Sequence, residues 1–152
     1  MHKILLPLLL FFTITVSSQT QLTPVTWTAT YLDKSNNEGE ITFKAKIDPK
    51  WHIYSQRPTD AGPIPTSFSI TPNANFELIG KVEETNAHEE FVAAFDAKVF
   101  VFETEAVFKQ KIKRKNKTGF VVKLSLEYMT CNDKQCLPPK TIELTVTVPA
   151  KK

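Results

Sequence analysis

Apolar and polar residues alternate with a period of two through most of the chain. Val25, Trp27, Ala29 and Tyr31 are interleaved with Thr26, Thr28 and Thr30. Ile41, Phe43, Ala45 and Ile47 alternate with Thr42, Lys44 and Lys46. The same pattern recurs at Phe120, Val122, Leu124, Leu126 and Tyr128, and at Ile142, Leu144, Val146 and Val148. Each stretch predicts a strand with one face in a core and the other in water. Shorter candidates lie at residues 51–54, 67–71, 76–79 and 99–113, the last read as two strands or one long bent strand. Turn-forming residues separate them: Ser35-Asn36-Asn37-Glu38-Gly39, Asp48-Pro49, Thr71-Pro72-Asn73 and Asn116-Lys117-Thr118-Gly119. About eight short strands in one domain predict an all-β fold, an immunoglobulin-like antiparallel β-sandwich, with a β-barrel as the alternative. The Pro-rich residues 56–65 and the polar residues 83–90 are expected as the two substantial loops, where a rigid sandwich usually carries its function.

The alternation does not reach the N-terminus. His2 and Lys3 precede an apolar run from Ile4 to Phe12 that fades through Thr13-Ile14-Thr15-Val16. A basic start and an apolar run of that length read as a secretory signal peptide over residues 1–18, cleaved after Ser18. An uncleaved anchor is the other reading, although the run falls short of the roughly 20 residues of a spanning helix. The remainder, residues 19–152, is read as one domain with no stable membrane insertion, working in an exported, disulfide-permissive compartment. A chain of 152 residues that is 41% hydrophobic fills one sizeable core. A net charge of only +3 gives no reason to expect a nucleic-acid partner.

The chain has 2 cysteines, too few for a disulfide-dense scaffold or an all-thiolate zinc site. They lie in Tyr128-Met129-Thr130-Cys131-Asn132-Asp133-Lys134-Gln135-Cys136-Leu137-Pro138-Pro139. A hairpin closed by the polar Asn-Asp-Lys-Gln turn would set Cys131 opposite Cys136. Opposed residues have Cα atoms roughly 4.5–5.5 Å apart, within reach of a disulfide. Closing so short a loop contributes only about 2 kcal/mol, so such a bridge is a weak staple. It would also sit at an exposed edge, where disulfides are labile in exchange. The residues themselves leave three readings open: a redox pair, a passive staple, and metal capture by the two thiolates. For the last, Met129, His52 and His88 are the other soft or imidazole ligands, without ligand spacing, so no metal site is assigned.

The segment from Cys131 through Cys136 to Leu137-Pro138-Pro139 resembles the redox hairpin of the N-terminal periplasmic domain of the thiol:disulfide interchange protein DsbD. Trp51-His52-Ile53-Tyr54-Ser55 is similar to that family's aromatic strand beside the cysteines. Gly62-Pro63-Ile64-Pro65-Thr66-Ser67-Phe68 is similar to the loop and strand that follow it, and His88-Glu89-Glu90-Phe91 to its cap loop. The resemblance implies an immunoglobulin-like sandwich that receives electrons crossing the inner membrane and passes them to oxidised periplasmic proteins. Thioredoxin-like proteins are the implied partners, of the disulfide isomerase or cytochrome c maturation type. It implies Cys131 and Cys136 as the redox pair, Phe91 as the cap, and Glu90, Glu89 and Tyr54 as neighbours that tune thiol pKa and access. The resemblance implies no cofactor, and the role it implies is that of a protein-disulfide reductase-type electron carrier acting with partner proteins. The chain ends at Lys152 without the membrane and thioredoxin-like domains of the full-length relative, so a separate membrane electron donor is expected. Its cysteine spacing is one residue shorter than in the best-known members.

Within the pair, Cys136 is expected to attack and Cys131 to resolve. Tyr128 and Met129 bury Cys131, whereas Cys136 opens onto two prolines that keep the backbone out of a ladder. His52 and His88 are expected at the surface or behind the site. The lysine-rich residues 109–117 are expected to form a solvated hairpin tip. A competing function from another class is a secreted immunoglobulin-like binding module whose hairpin disulfide is purely structural.

Overall fold

A computed structural model describes residues 22–59, 62–93 and 95–151. The expected signal peptide and its cleavage site lie outside the described residues. The described residues form eleven strands: β1 (Val25–Asp33), β2 (Glu38–Ile47), β3 (Trp51–Tyr54), β4 (Ser67–Ile70), β5 (Phe76–Thr85), β6 (His88–Val92), β7 (Ala97–Glu103), β8 (Glu105–Arg114), β9 (Phe120–Tyr128), β10 (Thr130–Asn132) and β11 (Lys140–Val148). They build three antiparallel sheets, in the orders β1-β2-β8-β5, β10-β3-β7-β6 and β11-β9-β4. This is the immunoglobulin-like sandwich that the alternation predicts.

The count exceeds eight for physical reasons. The 99–113 candidate divides at Thr104, whose left-handed φ of 63° breaks the pleat and carries the chain from β7 in one sheet to β8 in another. A second crossing, at Met129, separates β9 from β10. The polar residues 83–90, expected as a loop, instead finish β5 and begin β6, with Asn86 turning at φ 70°. β6 is the edge of its sheet, and charged residues on an edge strand discourage pairing with another chain. Such a strand carries little apolar alternation for a sequence reading to detect.

The main core lies where the inner faces meet. Trp27, Phe43, Phe102, Phe108, Ile112, Leu124 and Leu126 are all buried there, with Phe68 packed against them. Phe108 is central: its ring centroid is 5.7 Å from Trp27, 5.0 Å from Phe68 and 5.2 Å from Phe102. The β10-β3-β7-β6 sheet presents Ile53 and Phe102 to this core. Its opposite face carries a second, smaller cluster of Tyr54, Val92, Val99, Val101 and Cys131. Lys111, Lys113, Lys115 and Lys117 are exposed as expected, but residues 109–114 belong to β8 and not to a hairpin tip, and that strand buries Gln110 and Ile112. Arg114 is buried and donates hydrogen bonds to the carbonyls of Pro149 at 2.8 Å and Thr118 at 2.9 Å, tying the turn to the end of β11.

Candidate functional site

The cysteine hairpin begins where β9 hands the chain to β10. Asn132 builds the turn: its side-chain oxygen accepts the backbone N–H groups of Lys134 and Gln135, each at 2.9 Å. An Asx side chain used this way replaces a backbone turn, which is why asparagine suits the position. The Asn132 N–H donates to the Gln135 carbonyl and the Leu137 N–H to the Thr130 carbonyl, both at 2.9 Å. Cys131 and Cys136 sit between those two bonds. They form the non-hydrogen-bonded pair of the ladder, where opposed Cα atoms approach most closely. Their Cα atoms are 4.0 Å apart and a disulfide joins them. The two halves differ in access. Cys131 is 1% exposed, whereas Cys136 is only half-buried.

Strand register decides what surrounds the disulfide. Cys131 lies opposite His52, and His52 lies opposite Glu103. The Thr130 hydroxyl donates to the His52 carbonyl at 2.8 Å and locks β10 onto β3. Side chains alternate between faces along a strand, so His52 and Tyr54 share the face of Cys131. Val101 pairs with Tyr54 and with His88, which brings His88 and Glu90 of β6 to that face too. His52 Nε2 and the Tyr54 hydroxyl are 3.0 Å apart. His88 Nε2 lies 3.7 Å from a Glu103 carboxylate oxygen and 4.0 Å from one of Glu90.

The electrostatics follow from this crowding. Burial pushes the Tyr54 phenol far above its ordinary value, and the Glu90 charge pushes it further, so Tyr54 stays a neutral hydroxyl. Burial also lowers the His52 imidazole. The charges of Glu90, Glu103 and Asp133 work against that, and His88 adds to it. One Glu90 oxygen, Oε2, is shut off from solvent without a hydrogen-bond partner among the described residues. Among those residues no group of His, Cys, Asp and Glu has the arrangement of a metal site.

The fold therefore brings together four of the residues singled out from sequence: Cys131, Cys136, Tyr54 and Glu90. It sends the other two elsewhere. Glu89 and Phe91 alternate onto the opposite face of β6. Glu89 pairs with Lys98 at 3.1 Å, and Phe91, the expected cap, is 57% exposed. The aromatic ring that packs against the disulfide cluster is Phe95, meeting Tyr54 edge to face at 6.0 Å. Phe95 lies beyond the end of β6, in a turn where its N–H donates to the Val92 carbonyl at 3.0 Å, and this turn, not strand alternation, brings its ring to Tyr54. His52, expected at the surface or behind the site, takes the second of these places: it is 8% exposed, and its position in Trp51-His52-Ile53-Tyr54 puts it on the Tyr54 face.

An immunoglobulin-like sandwich with one disulfide hairpin, set beside a histidine, a tyrosine and a glutamate, defines the class. The chain belongs to the family of the N-terminal domain of the thiol:disulfide interchange protein DsbD, whose profile matches residues 19–148. Among solved structures, it is similar to the N-terminal periplasmic domain of ScsB from Proteus mirabilis, at 16% identity and a TM-score of 0.54, over 83% of this chain and 47% of that one. The chain thus spans about half the length of that ScsB domain, 47%. It is also similar to the reduced DsbD N-terminal domain of Neisseria meningitidis, at 17% identity and a TM-score of 0.50, over 80% of this chain and 86% of that one. A complex of the DsbD and PilB N-terminal domains from Neisseria meningitidis matches at 16% identity and a TM-score of 0.48, over 83% of this chain and 89% of that one. No curated protein matches the chain.

Proposed function

We propose that this protein is a periplasmic thiol–disulfide exchange domain that passes reducing equivalents through Cys131 and Cys136 to oxidised, thioredoxin-like partners. The observation that carries the reading is the unequal access of the two sulfurs: Cys131 is 1% exposed, and Cys136 half-buried at the hairpin edge. Membership of a thiol:disulfide interchange family supports it. In the reduced protein the Cys136 thiolate attacks a partner disulfide and one partner thiolate leaves. Cys131 then attacks the Cys136 sulfur, and the second partner thiolate leaves. Two electrons pass to the partner, and the Cys131–Cys136 disulfide is restored. A membrane-borne dithiol donor closes the cycle by running the same exchange in reverse.

Redox titration tests the proposal. The pair is expected to equilibrate reversibly with glutathione buffers, read by alkylation and intact mass. A pair that stays oxidised down to about −300 mV behaves as a structural staple, and the exchange reading then fails.

A cap over the disulfide belongs to the same proposal, with Phe95 as its ring, a reading supported by the packing of Phe95 against the cluster that holds Cys131. Phe95→Ala should speed alkylation of the reduced site by a bulky maleimide by about tenfold, whereas Phe91→Ala should leave the rate within about twofold. The ring lost from Phe95 covers the cluster, and the ring lost from Phe91 covers solvent. The reverse order of rates would restore the cap to Phe91.

A further inference from the structure

We propose that His52 is the base that takes the proton from Cys131 when Cys131 resolves the mixed disulfide. This rests on the exchange reading above and adds a residue to it.

The resolving step has a chemical difficulty that the geometry exposes. Cys131 is 1% exposed, and burial in an apolar cluster disfavours a thiolate. Yet the thiolate is the nucleophile. The proton must leave toward something inside the fold. Across the ladder from Cys131 stands His52, on the same face. Directly opposed residues have Cβ atoms about 4.5–5.5 Å apart, so the imidazole and the sulfur are neighbours. His52 is itself 8% exposed and held at both ends. Its carbonyl accepts the Thr130 hydroxyl at 2.8 Å, and its Nε2 meets the Tyr54 hydroxyl at 3.0 Å. That leaves Nδ1, the ring nitrogen nearer the backbone, for a second partner.

The charged and titratable groups around His52 suit the role. Tyr54 on β3 stays a neutral hydroxyl. Glu103 on β7, Glu90 on β6 and Asp133 in the cysteine turn favour an imidazolium once it forms, and His88 on β6 opposes it. Burial nevertheless keeps the resting imidazole below its ordinary value, so it is neutral and basic near neutral pH. In the step itself the Cys131 S–H proton moves to His52. The Cys131 sulfur bonds to the Cys136 sulfur, and the bond between Cys136 and the partner sulfur breaks. The electron pair leaves on the partner thiolate, and His52 later returns its proton to solvent.

The test separates the two chemical steps. The reduced full chain is mixed with excess oxidised glutathione from about pH 5 to about pH 9, quenched in acid and resolved by intact mass. Accumulation of the glutathione adduct reports attack by Cys136, and its disappearance into the disulfide reports resolution. The wild-type resolution rate is expected to rise as His52 loses its proton, at a lower pH than an ordinary imidazole, then level off, and rise again only as the Cys131 thiolate forms. His52→Gln should be about a hundredfold slower at about pH 7, follow pH without a plateau, and converge on wild type at the alkaline end. Adduct formation at Cys136 should be unchanged in the variant. A wild-type profile without the plateau overturns the assignment, whether or not the variant folds. So does a variant slowed by one factor at every pH, which marks a structural role. Failure of the wild type to form any adduct is a different result, and it overturns the exchange reading itself.

Discussion

Cys131→Ser is expected to accumulate a covalent complex with a thioredoxin-like protein under non-reducing conditions, and Cys136→Ser to accumulate none. The effect is all or nothing because it follows from which sulfur a partner can reach. A folded partner presents its disulfide on a convex surface and cannot enter a site where the sulfur is 1% exposed, as at Cys131. Cys136 lies on the open side of the hairpin, followed by Leu137, Pro138 and Pro139. Proline contributes no N–H to a ladder, so this edge stays free of strand pairing and open to approach. With Cys131 replaced by serine, the mixed disulfide on Cys136 has no internal thiol to resolve it. With Cys136 replaced, the remaining thiol is buried in the apolar cluster, out of a partner's reach and in surroundings that disfavour a thiolate. Non-reducing gels and intact mass of the mixed proteins decide the matter. Equal trapping by both variants, or trapping by Cys136→Ser alone, reverses or empties the division of labour.

The hairpin was legible because its determinants are local. An Asx turn and two backbone hydrogen bonds fix the Cys131–Cys136 pairing, and all of them lie within residues 130–137. The core strands were legible for a similar reason, since each buries one face and alternation records which. What escaped was information held between distant segments. His52 becomes a neighbour of Cys131 only through the pairing of β3 with β10, 78 residues apart in the Thr130-to-His52 hydrogen bond. Phe91 and Phe95 lie in one segment with similar surroundings in sequence. Phe91 stands on β6 and points to solvent, whereas the turn after β6 carries Phe95 back beside Tyr54. The acidic residues of β6 hid that strand, because an exposed edge is protected by charge and not by apolar alternation. A site assembled across a sheet is therefore read from sequence one strand at a time, with face assignments depending on register.

Phe108→Ala should lower the stability of the oxidised protein by about 3–5 kcal/mol, a large share of the roughly 5–15 kcal/mol typical of a domain. Phe108 is fully buried at the point where three other aromatic rings converge: Trp27 from β1, Phe68 from β4 and Phe102 from β7. Those strands belong to three different sheets. Truncation to alanine removes the apolar surface of the ring and leaves a void that none of the three can fill without shifting its own strand. Phe102 matters most for the site, since its backbone pairs with Ile53 between His52 and Tyr54. A shift there propagates to the strand that holds the disulfide in register. Urea unfolding is the measurement, with the midpoint falling and the slope unchanged if the native fold is retained. The control is Phe91→Ala, which deletes the same ring from a position 57% exposed and should change stability by about 0.5 kcal/mol or less. Comparable losses in the two variants would mean that the core does not converge on Phe108, and the sheet arrangement described for this protein would have to be revised.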